Sequence, residues 1–434
     1  MKYLQDIRDG HNNPKQLEDV YQAARQAKEA DEFKADLLAG YQESPDNILY
    51  AAWAYRLLAM GPDQSESRSV NWKLAIPLSV VTGLIFWGLS FLYLKYRTDM
   101  VYLGLLWSLV GACFVIAFLA VTAGRYQKRA GLAVAGLAVI GVYALLFGVL
   151  LKREPYQTLM VLHLPLLAWV GVGASLLGLK SDVQNRFAFL IKSLEVFVTG
   201  GIFMVAGGAF AGITTAMFEA LGVHIPDAVL RLLLAGGGGL IPVLAVASVY
   251  DPHARPIEQK FEQGLGKLIS TLMRLLLPLT LLVLVAYLFV IPFNFMEPFR
   301  NRDVLIVYNV MLFAVMGLLV GATPVREDDL APNQQALLRK GILAVALLAV
   351  VVSLYALSAT VYRTALGGIT INRLTIIGWN SINVGLLTWL VVKQFKAGPA
   401  LWVRSLQSVF GVGITAYIAW TLFLILAVPL IFNY

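Results

Sequence analysis

Between Leu74 and Phe432 the chain alternates about eleven stretches of 18 to 25 mostly apolar residues with short charged connections. A helix satisfies its own backbone hydrogen bonds in lipid, and roughly 20 residues cross the hydrocarbon. The pattern therefore predicts an all-α, polytopic transmembrane helix bundle. Its spans fall over 74–94, 101–121, 131–151, 157–178, 190–216, 228–249, 270–292, 304–321, 340–362, 374–392 and 409–431. The longest hydrophilic connection, 251–266, separates a first group of six spans (71–250) from a second group of five (267–434). The groups do not look alike in sequence, which weakens the case for a transporter built from duplicated halves.

Residues 1–70 follow a different pattern and predict a small cytoplasmic domain of amphipathic helices. Asn13-Pro14 opens a helix, Leu17, Val20, Tyr21 and Ala24 form its apolar stripe, and Gly40 is its expected stop. Ser44-Pro45 opens another, with Leu49, Tyr50, Trp53, Leu57 and Leu58 on one face until Gly61-Pro62. The pair is similar to one unit of a helical-repeat solenoid, which needs several stacked units. It either docks a protein partner or rests on the membrane face.

Composition agrees with the span pattern: 59% of residues are hydrophobic and 14% charged, and mean hydropathy is +0.72. The first span begins some 70 residues in, behind a polar segment, so a cleavable secretory signal is not expected and the first span acts as its own insertion signal. The single cysteine, Cys113, excludes a disulfide framework within the chain. The net charge of +8 is unevenly spread: residues 1–67 hold 7 Lys+Arg against 12 Asp+Glu, and the remainder 27 against 14. The basic excess thus lies in loops between helices and does not point to nucleic acid. Alternate loops carry 18 and 9 of those 27 cations. The richer set predicts the cytoplasmic side, with the N-terminus inside and Tyr434 outside.

Three sets of residues are candidates for chemistry. Gly236, Gly237, Gly238, Gly239 and Pro242 in the sixth span weaken a helix and suit a break or gate; equally, glycines let neighbouring helices pack closely. Lys192 and Glu195 are spaced for an ion pair, either within the membrane or at its interface. The spans of the second group turn polar toward the outside. There Arg302, Asp303, Asn309, Arg363, Arg373, Asn380 and Asn383 could line a vestibule for an anionic group, or serve as headgroup contacts and interhelical hydrogen bonds. Arg274 is expected to snorkel to the cytoplasmic headgroups. His11, His163, His224 and His253 are scattered, with no metal-ligand spacing, and no phosphate-binding loop occurs. No metal, cofactor or catalytic residue is assigned.

Tyr250-Asp251-Pro252, the Phe261-Glu262-x-Gly264-Leu265 run, RDVLIVYN from Arg302 to Asn309 and YALSATVYRTALGGITINRL from Tyr355 to Leu374 carry a resemblance. Over about residues 250–392 the chain resembles a family of uncharacterised bacterial multi-pass membrane proteins, the domain-of-unknown-function 4153 family. The resemblance implies a bacterial cytoplasmic (inner) membrane protein and transfers no substrate, cofactor or catalytic residue. The leading expectation is a transporter or permease-like protein for an anionic or lipid-linked solute. The alternative is a non-catalytic scaffold or assembly factor whose residues 1–70 dock a partner, and a lipid-modifying enzyme ranks third.

Overall fold

The computed structural model describes residues 2–27, 29–59, 70–92, 100–151, 154–178, 181–261, 263–326 and 330–432. Gly61-Pro62, Glu262 and Tyr434 lie outside the described residues, as do Arg68, Lys95, Arg97, Lys152, Arg153 and Lys180 among the 27 loop cations counted above. The chain forms two compact units, Met1–Ser69 and Val70–Tyr434.

The first unit holds α1 (Leu4–Asp9), α2 (Pro14–Gln26), α3 (Ala30–Glu43) and α4 (Ile48–Ala59). Leu17, Tyr21 and Ala24 of the expected stripe are buried. The rings of Tyr21, Phe33 and Trp53 pack with centroids 5.4 to 6.0 Å apart. The single helix expected from Pro14 to Gly40 is instead two helices, and Gly40 does not stop α3. It sits inside that helix, where a Cβ would lie 3.5 Å from Ile7 and 3.8 Å from the Tyr50 ring. α4 begins after Asn47 rather than at Ser44-Pro45, because the Asn47 side chain accepts from the amides of Leu49 (2.9 Å) and Tyr50 (3.2 Å).

The second unit is all-α among its described residues and carries all eleven expected spans. They are α5 (Trp72–Leu89), α6 (Val101–Ala123), α7 (Gln127–Leu150), α8 (Pro155–Leu177), α9 (Val183–Ala220), α10 (Asp227–Val249), α11 (Gly264–Asn294), α12 (Arg302–Ala322), α13 (Pro332–Gly367), α14 (Ile371–Ala397) and α15 (Trp402–Ile431). One apolar core lies mainly among α5–α8 and α10, and a second mainly among α11–α15. α9 belongs to both, through Phe189 and Val196 in the first and Phe187 and Ala188 in the second.

Single π-turns interrupt α7 at Leu146–Leu150, α10 at Leu232–Gly236 and α15 at Phe423–Ala427. Such turns divert carbonyls from their usual partners. Gln157 donates to the Gly148 carbonyl, Tyr156 to that of Ile425, and Tyr143 to that of Leu426.

α12 has 21 residues, about 31 Å at 1.5 Å per residue, which matches the hydrocarbon thickness of about 30 Å. α9, α11 and α13 have 38, 31 and 36 residues, or about 57, 46 and 54 Å. In α9 and α11 much of the surplus lies at the end carrying the more basic loops, called here the basic end. Arg274 Nε of α11 donates to the Ala322 carbonyl at the end of α12 (3.3 Å). A Cβ on Gly321 would meet Met273 at 2.8 Å and Leu194 at 3.4 Å. The last turn of α12 is therefore level with Leu194 and Arg274, so the first ten or so residues of α9 and α11 run on past it by about 15 Å. Apolar periodicity reported only the lipid-length part of these helices, and for that reason the expected starts at 190, 270 and 340 fall late.

The connection after α10 folds back over this extension. The Gln259 side chain bonds both the amide (3.0 Å) and the carbonyl (2.8 Å) of Asp251. Asn185 Oδ1 accepts from the Ile257 amide at 3.1 Å, and Arg125 donates to the His253 carbonyl. Asp182 caps α9 by accepting from the Asn185 amide at 2.7 Å. That backbone hydrogen bond is the main cause holding the Asp182 carboxyl below the usual carboxylate range.

Candidate functional site

A cavity of about 930 Å³ lies between α9, α11, α12 and α13 at the basic end. Much of its lining is aliphatic, including Ile269, Leu277, Leu281 and Leu338. Lys267, Arg274 and Lys340 line it as well, with Thr271, Thr323 and Gln334. The apolar lining continues onto the outer surface, since Leu275 and Leu337 line the cavity while remaining 67% and 75% exposed. Arg274 lies at the level where α12 ends. Aliphatic walls with cations beside them suit an amphiphile with an anionic head.

Glu195 of α9 closes one wall of the cavity. Its Oε2 accepts from Lys192 Nζ at 2.7 Å, and both residues are buried, at 3% for Lys192 and 8% for Glu195. The Lys192 ammonium also lies 3.5 Å from the Val249 carbonyl and 5.3 Å from the centre of the Phe261 ring. These contacts replace part of the solvation that burial removes. The carboxylate fits beside α11 because residue 266 is glycine: a Cβ there would stand 3.0 Å from Oε2 and 3.3 Å from Oε1. Lys192 and Glu195 are level with the end of α12 and enclosed by protein. The surroundings of the pair are those of a protein interior.

The seven residues expected at the opposite end are placed differently, and none lines this cavity. Arg302 and Asp303 are exposed in the first turn of α12, which Asn301 caps by accepting from the Asp303 amide. Arg363 donates to the Arg300 carbonyl at 2.8 Å, and Arg373 to the Gly368 carbonyl at 2.7 Å. Both arginines thus tie down backbone at helix ends. Asn309 bonds its own helix, through the Leu305 carbonyl at 2.8 Å.

Asn380 and Asn383 are buried in α14, at 1% and 0% exposure. Asn383 Oδ1 accepts from Tyr417 of α15 at 2.5 Å, whereas both amide atoms of Asn380 and the Nδ2 of Asn383 have no partner among the described residues. Beside them Trp379 Nε1 donates to His163 Nε2 at 3.0 Å. His163 Nδ1 must then carry the ring proton, and it lies 2.7 Å from the Leu159 carbonyl. His163 joins α8 to α14. Among the described residues no group of three His, Cys, Asp or Glu could hold a metal ion.

Gly236, Gly237, Gly238 and Gly239 fall into two kinds. Gly236 and Gly239 face α5: a Cβ on Gly239 would stand 2.7 Å from the Gly83 Cα, and one on Gly83 2.8 Å from the Gly236 carbonyl oxygen. Gly237 and Gly238 have nothing within 4 Å of that position. Pro242 packs its ring on Gly111 of α6 (3.2 Å to a Cβ built there). Two of the four glycines therefore let α5 and α10 approach, as small residues do between membrane helices.

Sequence reading found the Lys192–Glu195 ion pair from its spacing. It missed Lys267 and Lys340 as members of one site, since the cavity draws on four helices and only their packing brings these positions together. Compared with models of protein families, with curated proteins and with solved structures, the chain matches none.

Proposed function

We propose that this multi-pass membrane protein is a permease-like protein of the bacterial cytoplasmic membrane that takes an anionic, lipid-linked solute into the cavity at its basic end. In this reading the basic end and the N-terminus face the cytoplasm, Tyr434 lies outside, and exposed Arg302 and Asp303 flank the far mouth. One observation carries the reading: apolar walls and three cations, Lys267, Arg274 and Lys340, share one cavity beside the end of α12. The resemblance over residues 250–392 supplies the bacterial assignment. Native mass spectrometry of the full chain, released gently from its membranes, tests it. A phosphate-headed amphiphile is expected on the wild type and should be depleted in the double variant K267Q/K340Q. Equal lipid occupancy in the two proteins would sink the proposal.

A second reading, a scaffold whose first unit docks a protein, has its own support. Ile48, Ala52 and Tyr55 form an exposed apolar stripe along α4 at helical spacing. Deleting residues 1–67 separates the two: a scaffold loses its function, whereas the cavity keeps its lipid.

A further inference from the structure

Resting on the cavity reading above, we infer that its ligand carries a hydrogen-bond-donating ammonium group next to its phosphate, as an aminophospholipid headgroup does, and that Glu195 receives that ammonium. Glu195 is the cavity's one buried carboxylate among the described residues. Lys192 occupies only Oε2, and Oε1 accepts no hydrogen bond among the described residues. Lys192 itself does not line the cavity. It approaches the carboxylate from behind, where the Val249 carbonyl and the Phe261 ring hold it.

The cavity wall therefore presents a carboxylate oxygen with its lone pairs unused, in a lining otherwise charged by Lys267, Arg274 and Lys340. An acceptor of this kind, on a carboxylate side chain only 10% exposed, selects for a donor on the ligand. A ligand without one leaves the oxygen desolvated and unpaired. The cations suit the phosphate, and the aliphatic residues suit the first part of the acyl chains. At about 930 Å³ the space is near the top of the usual range for ligand sites, roughly 300–1,000 Å³. That range admits a headgroup with the beginning of its chains.

The test varies only the number of N–H donors. Full-length protein is equilibrated in detergent with equimolar phosphatidylethanolamine and phosphatidylcholine of identical chains, and bound lipid is counted by native mass spectrometry. The N-methyl and N,N-dimethyl lipids serve as intermediate steps. A preference of about tenfold or more for phosphatidylethanolamine is expected, falling stepwise with methylation, because hydrogen bonds to charged groups are the stronger kind. The preference should vanish in E195Q and in the charge-neutral pair K192M/E195Q, which guards against a fold lost through one unpaired lysine. K267Q/K340Q should weaken both lipids alike and leave their ratio unchanged. Glycerophosphoethanolamine, the same headgroup without chains, should compete poorly.

The outcomes separate the two claims. Binding of both lipids that depends on Lys267 and Lys340, with a ratio near one, overturns the ammonium inference and keeps the cavity reading. Binding indifferent to Lys267 and Lys340 overturns the cavity reading. A wild-type preference that survives both Glu195 variants assigns donor recognition elsewhere and overturns the role of Glu195. Efficient competition by glycerophosphoethanolamine overturns the lipid source of the headgroup.

Discussion

Replacing Gly239 and Gly238 with alanine, one at a time, separates close packing from flexibility in α10. The two are neighbours in one helix, so each substitution gains about the same helix propensity, roughly 1 kcal/mol over glycine. Their surroundings differ. The new Cβ at 239 would stand 2.7 Å from the Gly83 Cα, 2.9 Å from the Thr82 carbonyl oxygen and 3.0 Å from the Gly83 nitrogen. All three are backbone atoms and cannot rotate aside. Ordinary carbon contacts lie at about 3.5–4.0 Å, so α5 and α10 must separate by roughly 1 Å. Overpacking of this kind costs about 1–3 kcal/mol. At 238 nothing lies within 4 Å, and no such cost arises. The difference between the variants isolates the packing term, and G239A should be less stable than G238A by about 1–3 kcal/mol. Unfolding of the full chain by SDS in mixed micelles, followed by tryptophan fluorescence, measures it. G83A should resemble G239A, and the double variant should cost less than the sum, since helices already parted accept the second methyl more easily. Equal stability of G238A and G239A would refute the packing argument. Equal loss of solute movement from alanine at each of 237, 238 and 239 would instead support a gate.

Three further outcomes follow from the same geometry. K192M leaves the Glu195 carboxylate buried without its partner and should destabilise by about 3–5 kcal/mol, most of it recovered in K192M/E195Q; a double-mutant cycle in SDS reads the coupling. N380L should be neutral or stabilising by about 1–3 kcal/mol in that denaturation, because it removes an amide with no partner, whereas N383L strands the Tyr417 hydroxyl and should destabilise. The lowered Asp182 carboxyl gives the α9 cap a defined pH dependence. Its contribution, about 1 kcal/mol, is present above the ordinary carboxylate pKa near 3.9 and is lost as pH falls through the lowered value. Hydrogen exchange in the first turn of α9 should therefore quicken in acid for the wild type, and the acid step should be missing in D182A.

The eleven spans were legible because a lipid-facing helix must be apolar over its whole membrane length, whatever it packs against. What lay beyond that length was harder to see. The first ten or so residues of α9 and α11 contain Arg186 and Lys267, which fall outside the expected spans 190–216 and 270–292 and read as loop, although both stretches are helical. α1 escaped notice because six residues are too few to show a period, and only Ile7 among them is buried. The outward set shows what a sequence leaves out. Arg363 and Arg373 stand out in sequence as cations near one mouth, yet a sequence does not display carbonyl partners, and theirs are on the backbone. Lys192 and Glu195 were visible from three-residue spacing alone, while the use of Glu195 as a cavity wall depended on Gly266, some seventy positions away.

In the proposed reading, the unequal lengths of α12 and its neighbours put the cavity on a boundary between lipid and water. A molecule there would exchange with its own leaflet by sliding sideways, without losing contact with water at its head. Loading then involves no passage through hydrocarbon, and the barrier to any transfer is concentrated in the lipid-length part of the bundle beyond Leu281. A full transport cycle would have to open that stretch, whereas a protein that only senses or presents lipid could work with the boundary site alone. Following whether a labelled headgroup reaches the far leaflet, rather than whether it binds, divides these two kinds of protein.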